Sequence, residues 1–427
     1  MGLEKRLRLV DLLTEAAELE HSLACQYLYA AFTLKNQPEE GATWEQLESL
    51  RRWKGETLLI ARQEMEHLGL VANLLTAIGE APYFTRPDFP TSRRYYPLRL
   101  VGELVPWGEA ALRRFLRFEW PANLSADAQQ FVARTALDAT EQDNASIARM
   151  YGEIRALFTE LGENPKSLFL GPPAAQQSNA TLIPVPLRGI QLKPGTAFYN
   201  VLVQPVTDLK SALATIDQIL VEGEGEPQDR ATSHFGRFRK MLEELRETRA
   251  KDPTFEPARL TIANPRTASP DVDPTGSTID VPATNRVSAL FDLGYETMLT
   301  MLVRFFAHTD ETAAELAGLQ GTAFFPLMTN FIRPVGELLT QLRARTDSPL
   351  AAGPSFHFAR QIAFLPHKQA AWKVLAQQLD MLTELAFAAQ KDPDLPADVR
   401  TRLELVYENV GRMRINFGNA MGLGRGV

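Results

Sequence analysis

Glu64 and His67 stand three residues apart in ARQEMEHLGLVANLLTAIGEAP (61–82), and that spacing puts both side chains on the apolar seam of one helix. The seam reads Ile60, Glu64, His67, Val71, Leu74 and Ile78, so an acid and an imidazole occupy places where Leu or Ile would ordinarily stand. A carboxylate buried there costs on the order of several kcal/mol unless positive charge compensates it. A carboxylate oxygen and an imidazole nitrogen on one face form half of a metal site of the kind built inside four-helix cores, suited to iron or manganese. Chance also supplies Glu-x-x-His on helix surfaces in a chain this long; placement in the seam favours the metal reading.

A second acid lies in ELEHSLACQYLYAA (18–31), on a helix whose apolar face runs Leu9, Leu12, Ala16, Leu19, Leu23, Tyr27 and Ala30. Glu20 flanks that face and can supply the single carboxylate that a carboxylate-bridged site takes from a neighbouring helix. Glu18 reads as part of the solvated edge. His21 follows Glu20 by about 100° around the helix, so the two cannot both point at one ion, and His21 reads as a supporting or surface residue.

Two further helices can complete such a site. Leu137, Thr140, Asn144, Ile147, Tyr151, Ile154 and Phe158 keep a 3-4 spacing through 127–161, and Glu141 flanks this seam, with Arg149 and Glu153 on the far side. Glu153 would stand about 18 Å further along the axis, so Glu141 is the acid this helix offers. The fourth helix carries IDQILVEGEGE (216–226) and then SHFGRF (233–238). Its glycines each destabilise a helix by about 1 kcal/mol, so a break is expected there. Glu224 between Gly223 and Gly225, with His234 opening the next helical stretch, can present an acid and an imidazole much as Glu-x-x-His does. Glu222 and Glu226 read as an acidic surface loop.

Periodicity places helices at about 5–34, 43–78, 127–161, 209–222 and 232–249, enough for a four-helix bundle over 1–250. Two arms interrupt it. Residues 83–106 are rich in Pro and aromatics, and Tyr95, Tyr96 and Trp107 could roof a pocket; 162–206 are Pro- and Gly-rich, with at most a small hairpin at 181–190. A Pro-rich linker at 251–285 precedes a C-terminal helical domain, 286–427, with helices near 290–308, 324–342, 368–390 and 396–417. The fold class is therefore all-α: a bundle with Pro-rich arms and an additional C-terminal helical region.

Net charge is −7 with both signs dispersed, which argues against a nucleic-acid surface. The lone cysteine, Cys25, sits on an apolar helix face and reads as a small core residue; a chain with one cysteine forms no internal disulfide. No stretch of about 18 uncharged apolar residues and no leader-like segment appears, so the expectation is a soluble, cytoplasmic protein without a membrane partner. His308 and His367 read as structural, and His357 in GPSFHF is a weaker pocket candidate.

The segments ELEHSLACQYLYAA, EMEHLGLVANLLTAIGEAP, the GEG turn with HFGRF, FFPLMTNFIRPVGELLTQL, GPSFHF and FLPHKQAAW together resemble the ferritin-like proteins related to the iminophenylpyruvate dimer synthases of violacein and rebeccamycin biosynthesis. The resemblance spans nearly the whole chain and implies that Glu20, Glu64, His67, Glu224 and His234 bind metal. It would also place an acid near Arg149 and a histidine where Asn144 stands, and the third helix departs from that pattern. What it implies is a non-haem iron oxidoreductase holding one or two Fe(II) ions, manganese being the other metal for such donors. Its substrate class would be a small amine-, imine- or amino-acid-derived metabolite, with dioxygen as a further small-molecule partner, and a homo-oligomer or a pathway enzyme as protein partner. The competing expectations are a diiron oxygenase or desaturase acting on an unrelated small molecule, and a non-catalytic ferritin-like scaffold.

Overall fold

The computed structural model of the chain describes residues 2–91, 101–121, 123–135, 137, 147–177, 203–223, 231–269, 275–307, 310–358 and 361–422. They fall into two compact units, Met1–Gln176 with Val203–Ala258 and Gln177–Leu202 with Arg259–Val427. Helix dominates both, as the periodicity predicts.

The first unit rests on two long helices, α1 (Gly2–Thr33) and α2 (Trp44–Ala77). Thr43 starts α2 with a capping box: its hydroxyl accepts the Gln46 N–H at 3.2 Å, and the Gln46 side chain accepts the Thr43 N–H at 2.8 Å. Gly79, at φ 84°, ends the helix in the left-handed conformation that glycine tolerates. Arg6 near the start of α1 bonds the Ile78 carbonyl just past α2, so the pair is antiparallel.

Shorter helices flank this pair: α3 (Glu109–Phe118), α4 (Ala126–Thr135), α5 (Ile147–Leu161), α6 (Pro165–Leu168), α7 (Leu209–Gly223) and α8 (His234–Lys251). Along the first half of α1 runs α5, tied by Arg8 to Glu153 at 2.8 Å; Tyr27 in its second half meets Phe115 of α3 edge-on at 4.6 Å. On α2 the division repeats. Trp53 in its first half donates to Glu244 of α8 at 2.6 Å, and Glu66 in its second half accepts from Gln218 of α7 at 2.9 Å. Two continuous helices thus face two positions that are each assembled from two pieces, α5 with α3 and α7 with α8.

The expected helix 127–161 is therefore not continuous. α4 stops at Thr135, whose carbonyl accepts from Arg113 at 2.6 Å, and Leu137 lies outside helix. A guanidinium that takes a terminal carbonyl supplies the partner a further helical turn would have supplied. From Ile147 onward the seam holds, with Ile147, Tyr151, Ile154 and Phe158 buried. Trp107 does not roof a pocket. It stacks on Trp53 at 4.9 Å, its Nε1 donates to Thr57 at 3.2 Å, and it is 2% exposed. Tyr95, Tyr96 and the suggested hairpin at 181–190 lie outside the described residues.

Of residues 251–285, those through Ala258 fall in the first unit. From Arg259 they fall in the second, where β1 (Arg266–Thr267) pairs in parallel with β2 (Thr278–Ile279). That unit continues with α9 (Pro282–Phe306), α10 (Ala313–Thr322), a π-helical stretch Ala323–Ile332, α11 (Arg333–Leu339), the antiparallel β3 (Arg343–Arg345) and β4 (Ser348–Ala351), then α12 (Lys368–Gln390) and α13 (Ala397–Ala420). Pro326 inside the π-helical stretch cannot donate a backbone bond, which suits a widened turn. Gly294 of α9 admits the Phe331 ring; a Cβ there would fall 2.0 Å from Phe331 Cε1. In the GPSFHF turn His357 is exposed and its neighbours are buried, Phe356 lying edge-on to Phe291 at 5.2 Å and Tyr295 at 5.3 Å. Among the described residues no helix is long and apolar enough to cross a membrane.

Because Trp107 packs in the core, Trp107→Ala should lower the unfolding free energy by about 3–5 kcal/mol. Urea titration followed by circular dichroism measures this, and a wild-type midpoint would place the indole outside the core.

Candidate metal centre

Five ionisable side chains converge where the short helices meet the long ones. Glu20 comes from α1, Glu64 and His67 from α2, Glu119 from the residue that closes α3, and His234 from the first position of α8. None is more than 2% exposed. They form two clusters, Glu20–Glu64–His67 and Glu64–Glu119–His234, within each of which one donor atom per residue lies within 4.8 Å of the others. Glu64 belongs to both.

The local contacts are specific. His67 Nδ1 lies 3.5 Å from Glu20 Oε2 and 3.4 Å from Glu64 Oε2, and its Nε2 lies 3.2 Å from Glu222 Oε2. His234 Nδ1 lies 2.8 Å from Glu64 Oε1 and 3.4 Å from Glu119 Oε2, and the two imidazoles stack at 5.6 Å. Tyr151 donates its hydroxyl to Glu20, and Tyr27 donates to Glu119. A small cavity of about 10 Å³, the scale of one buried water or ion, is lined by Glu20, Glu64, His67 and Glu119 with apolar Leu23, Ile147, Ile219 and Leu220.

Burial works to discharge both imidazoles, and the surrounding acids outweigh it. Hydrogen bonding with Glu20, Glu222 and Glu64 holds His67 well above the usual histidine range, and the charges of Glu64 and Glu119 lift His234 to about 9. Burial, reinforced by the charge of Glu64, raises Glu20 to about 7 against the pull of His67. Burial would lift Glu64 as well, yet the charge of His234 and hydrogen bonds with both imidazoles carry it below the ordinary carboxylate range.

The donor set fits a metal ion. Among the described residues both ring nitrogens of His234 and Oε1 of Glu64 are buried without an aligned hydrogen bond, although Nδ1 and Oε1 are only 2.8 Å apart. Groups so placed are close to each other without bonding, and leaving them unsatisfied is costly. Carboxylate oxygens and imidazole nitrogens in this proportion suit Fe(II) or Mn(II).

Of the sequence-predicted residues, the structure brings together Glu20, Glu64, His67 and His234. Glu141 and Glu224 lie outside the described residues. Sequence reasoning missed Glu119. Its signal is the spacing Leu112, Phe115, Glu119, which runs along the ten-residue helix Glu109–Phe118 and onto its C-cap. Glu222, read as a surface acid, instead meets His67 because α7 lays its last turn along α2, leaving the side chain only 19% exposed. Glu153 points outward to Arg8, as its helical phase requires. His21 is buried, and that burial, with the charge of Arg86, lowers its pKa. Glu18 is half-buried, and burial raises it to about 7 despite a hydrogen bond with Tyr83.

A protein-family model described as ferritin-like matches residues 13–243, a span that contains every side chain of both clusters. Dichlorochromopyrrolate synthase of Lentzea aerocolonigenes is 27% identical over 416 residues, which cover 91% of this chain and 40% of that protein. The 2-imino-3-(indol-3-yl)propanoate dimerase of Chromobacterium violaceum is 30% identical over 373 residues, 82% of this chain and 34% of that one. The chain therefore spans well under half the length of these curated relatives. Among solved structures, a ferritin-like protein from Caulobacter vibrioides is similar with a TM-score of 0.46 and 18% identity, over 82% of this chain and 98% of that chain.

With His234 raised to about 9 and His67 raised as well, the metal-free centre holds protons at pH 7 that a cation must displace. Divalent-metal uptake should therefore release protons and weaken as pH falls from about 9, by up to about tenfold per pH unit for each proton displaced. Calorimetric titration with Mn(II) at pH 7 in buffers of different ionisation enthalpy reads the release directly. Heats independent of the buffer would mean that neither imidazole is charged.

Proposed function

The chain belongs to the ferritin-like family, and from that premise we propose that it is an iron-dependent oxidoreductase acting on a small amine-, imine- or amino-acid-derived metabolite. The observation that carries the reading is the pair of buried carboxylate–histidine clusters joined through Glu64. Iron bound there would supply one-electron chemistry and open coordination positions for dioxygen.

The remaining work falls to the chain. Glu64 offers one oxygen to each cluster, Glu20 and Glu119 offer one carboxylate apiece, and His67 and His234 offer one imidazole apiece. Glu222 beside His67 Nε2 orients that ring and favours the tautomer whose Nδ1 lone pair faces Glu20 and Glu64. Leu23, Ile147, Ile219 and Leu220 contribute apolar surface to the cavity lining, an environment that strengthens charge interactions inside it. Support for the substrate class comes from the relatives. One is named for dimerising an indolyl imine and the other for making dichlorochromopyrrolate, and each aligns with most of this chain.

Anaerobic loading with Fe(II), metal counting and oxygen uptake in the presence of imino acids test the proposal. Two irons per chain and substrate-dependent oxygen consumption are expected, with Glu64→Ala, His67→Ala and Glu119→Ala each losing most of the iron while helix content persists, and Glu153→Ala keeping it. Full iron occupancy in the three cluster variants would refute the site. Tight Mn(II) binding without oxygen uptake by the iron form would refute the chemistry.

A further inference from the structure

On the metal-centre reading, the three acids divide their oxygens in two different ways. Glu64 directs Oε1 toward His234 Nδ1 at 2.8 Å and Oε2 toward His67 Nδ1 at 3.4 Å, so its two oxygens serve different clusters. Glu20 and Glu119 behave otherwise. Glu20 brings Oε2 to its imidazole, at 3.5 Å, and its Oε1 accepts the Tyr151 hydroxyl. Glu119 brings Oε2 to His234, at 3.4 Å, and its Oε1 accepts the Tyr27 hydroxyl.

The two tyrosines come from different elements, Tyr27 from α1 and Tyr151 from α5, and both are 0% exposed. Tyr27 is wedged between Phe115 at 4.6 Å and Phe238 at 5.0 Å, so its ring has little freedom to swing away. A buried phenol needs a partner for its hydroxyl, and a carboxylate is the strongest acceptor available to it. The same division of oxygens thus occurs twice, through independent stretches of chain. In each acid the oxygen that meets the imidazole differs from the one that accepts the tyrosine hydroxyl.

We propose that Tyr27 and Tyr151 are positioning residues that withhold one oxygen of Glu119 and of Glu20 from the metal, so that each acid binds its ion end-on through a single oxygen. Each ion then keeps a coordination position that a chelating carboxylate would have closed. The tyrosines act through the acids, Tyr151 from the lining of the cavity itself.

Cobalt(II) is a suitable probe, because its visible absorption weakens as coordination number rises. Wild-type protein should bind two Co(II) ions with strong visible bands. Tyr27→Phe and Tyr151→Phe should each keep two ions and native helix content, but lose band intensity as the freed oxygen closes on one ion; the double variant should lose it at both. A role confined to packing would shift the melting temperature and leave the spectrum alone. Spectra identical to wild type in both variants, on a wild type that binds two ions, would overturn the tyrosine proposal and spare the metal centre. A wild type that binds no cobalt would overturn both. Infrared difference spectra of the wild-type protein on metal loading provide a test that needs no variant: one-oxygen carboxylate binding is expected, and a purely chelating pattern would refute the proposal.

Discussion

Concentrating acids in an apolar interior is the constraint on which the first unit depends. Glu20, Glu64 and Glu119 are each at most 2% exposed, with Glu222 partly buried beside them. Unpaired, each buried carboxylate would cost on the order of several kcal/mol. Two imidazolium groups compensate the charge only in part, and the acids around them raise the pKa of both. With neutral imidazoles, the charge of four carboxylates would be balanced by two divalent cations. An arrangement this costly does little for stability and is understandable when it serves binding, since hydrophobic side chains of similar volume would pack the same space at least as well.

The helical architecture answers that constraint by combining continuity with interruption. α1 and α2 run unbroken past the clusters and supply Glu20, Glu64 and His67 from their flanks. The other members of the clusters come from helix ends: Glu119 closes α3 and His234 opens α8. An end can aim a side chain along the bundle axis, which a helix flank cannot do. The start of α8 adds its dipole, positive toward Glu64 and Glu119, and Ser233 caps it by accepting the Gly236 N–H at 3.2 Å.

Interactions around the clusters connect this local chemistry to the wider packing. Tyr27 joins α1 to Glu119 and also sits against the aromatic contact between α3 and α8. Gln218 joins α7 to Glu66 one residue before His67, and Glu222 meets His67 one turn later on the same helix. Each of these bonds crosses between elements, so the position of one short helix is felt directly at an acid or an imidazole of the centre.

Helical class and the inward phase of Glu20, Glu64 and His67 were legible in the sequence, because both follow from a 3-4 spacing that any apolar seam imposes on its own helix. The break before His234 was legible too, since glycines at helix rank carry a local cost that needs no partner to be felt. Glu119, Glu222, Tyr27 and Tyr151 were decided elsewhere. The bonds that give them meaning link residues 92, 155 and 131 positions apart, and no local pattern specifies which distant helix end will face them. Continuity of the third helix was misjudged for the same reason: periodicity runs through Thr135 and Leu137, and a guanidinium from α3 takes the carbonyl at which α4 stops. Sequence alone determined that Glu20, Glu64 and His67 turn inward, because that depends on backbone geometry within one helix; tertiary structure decided what they meet, Glu119 and Glu222 included, because that depends on where separate helices begin and end against one another.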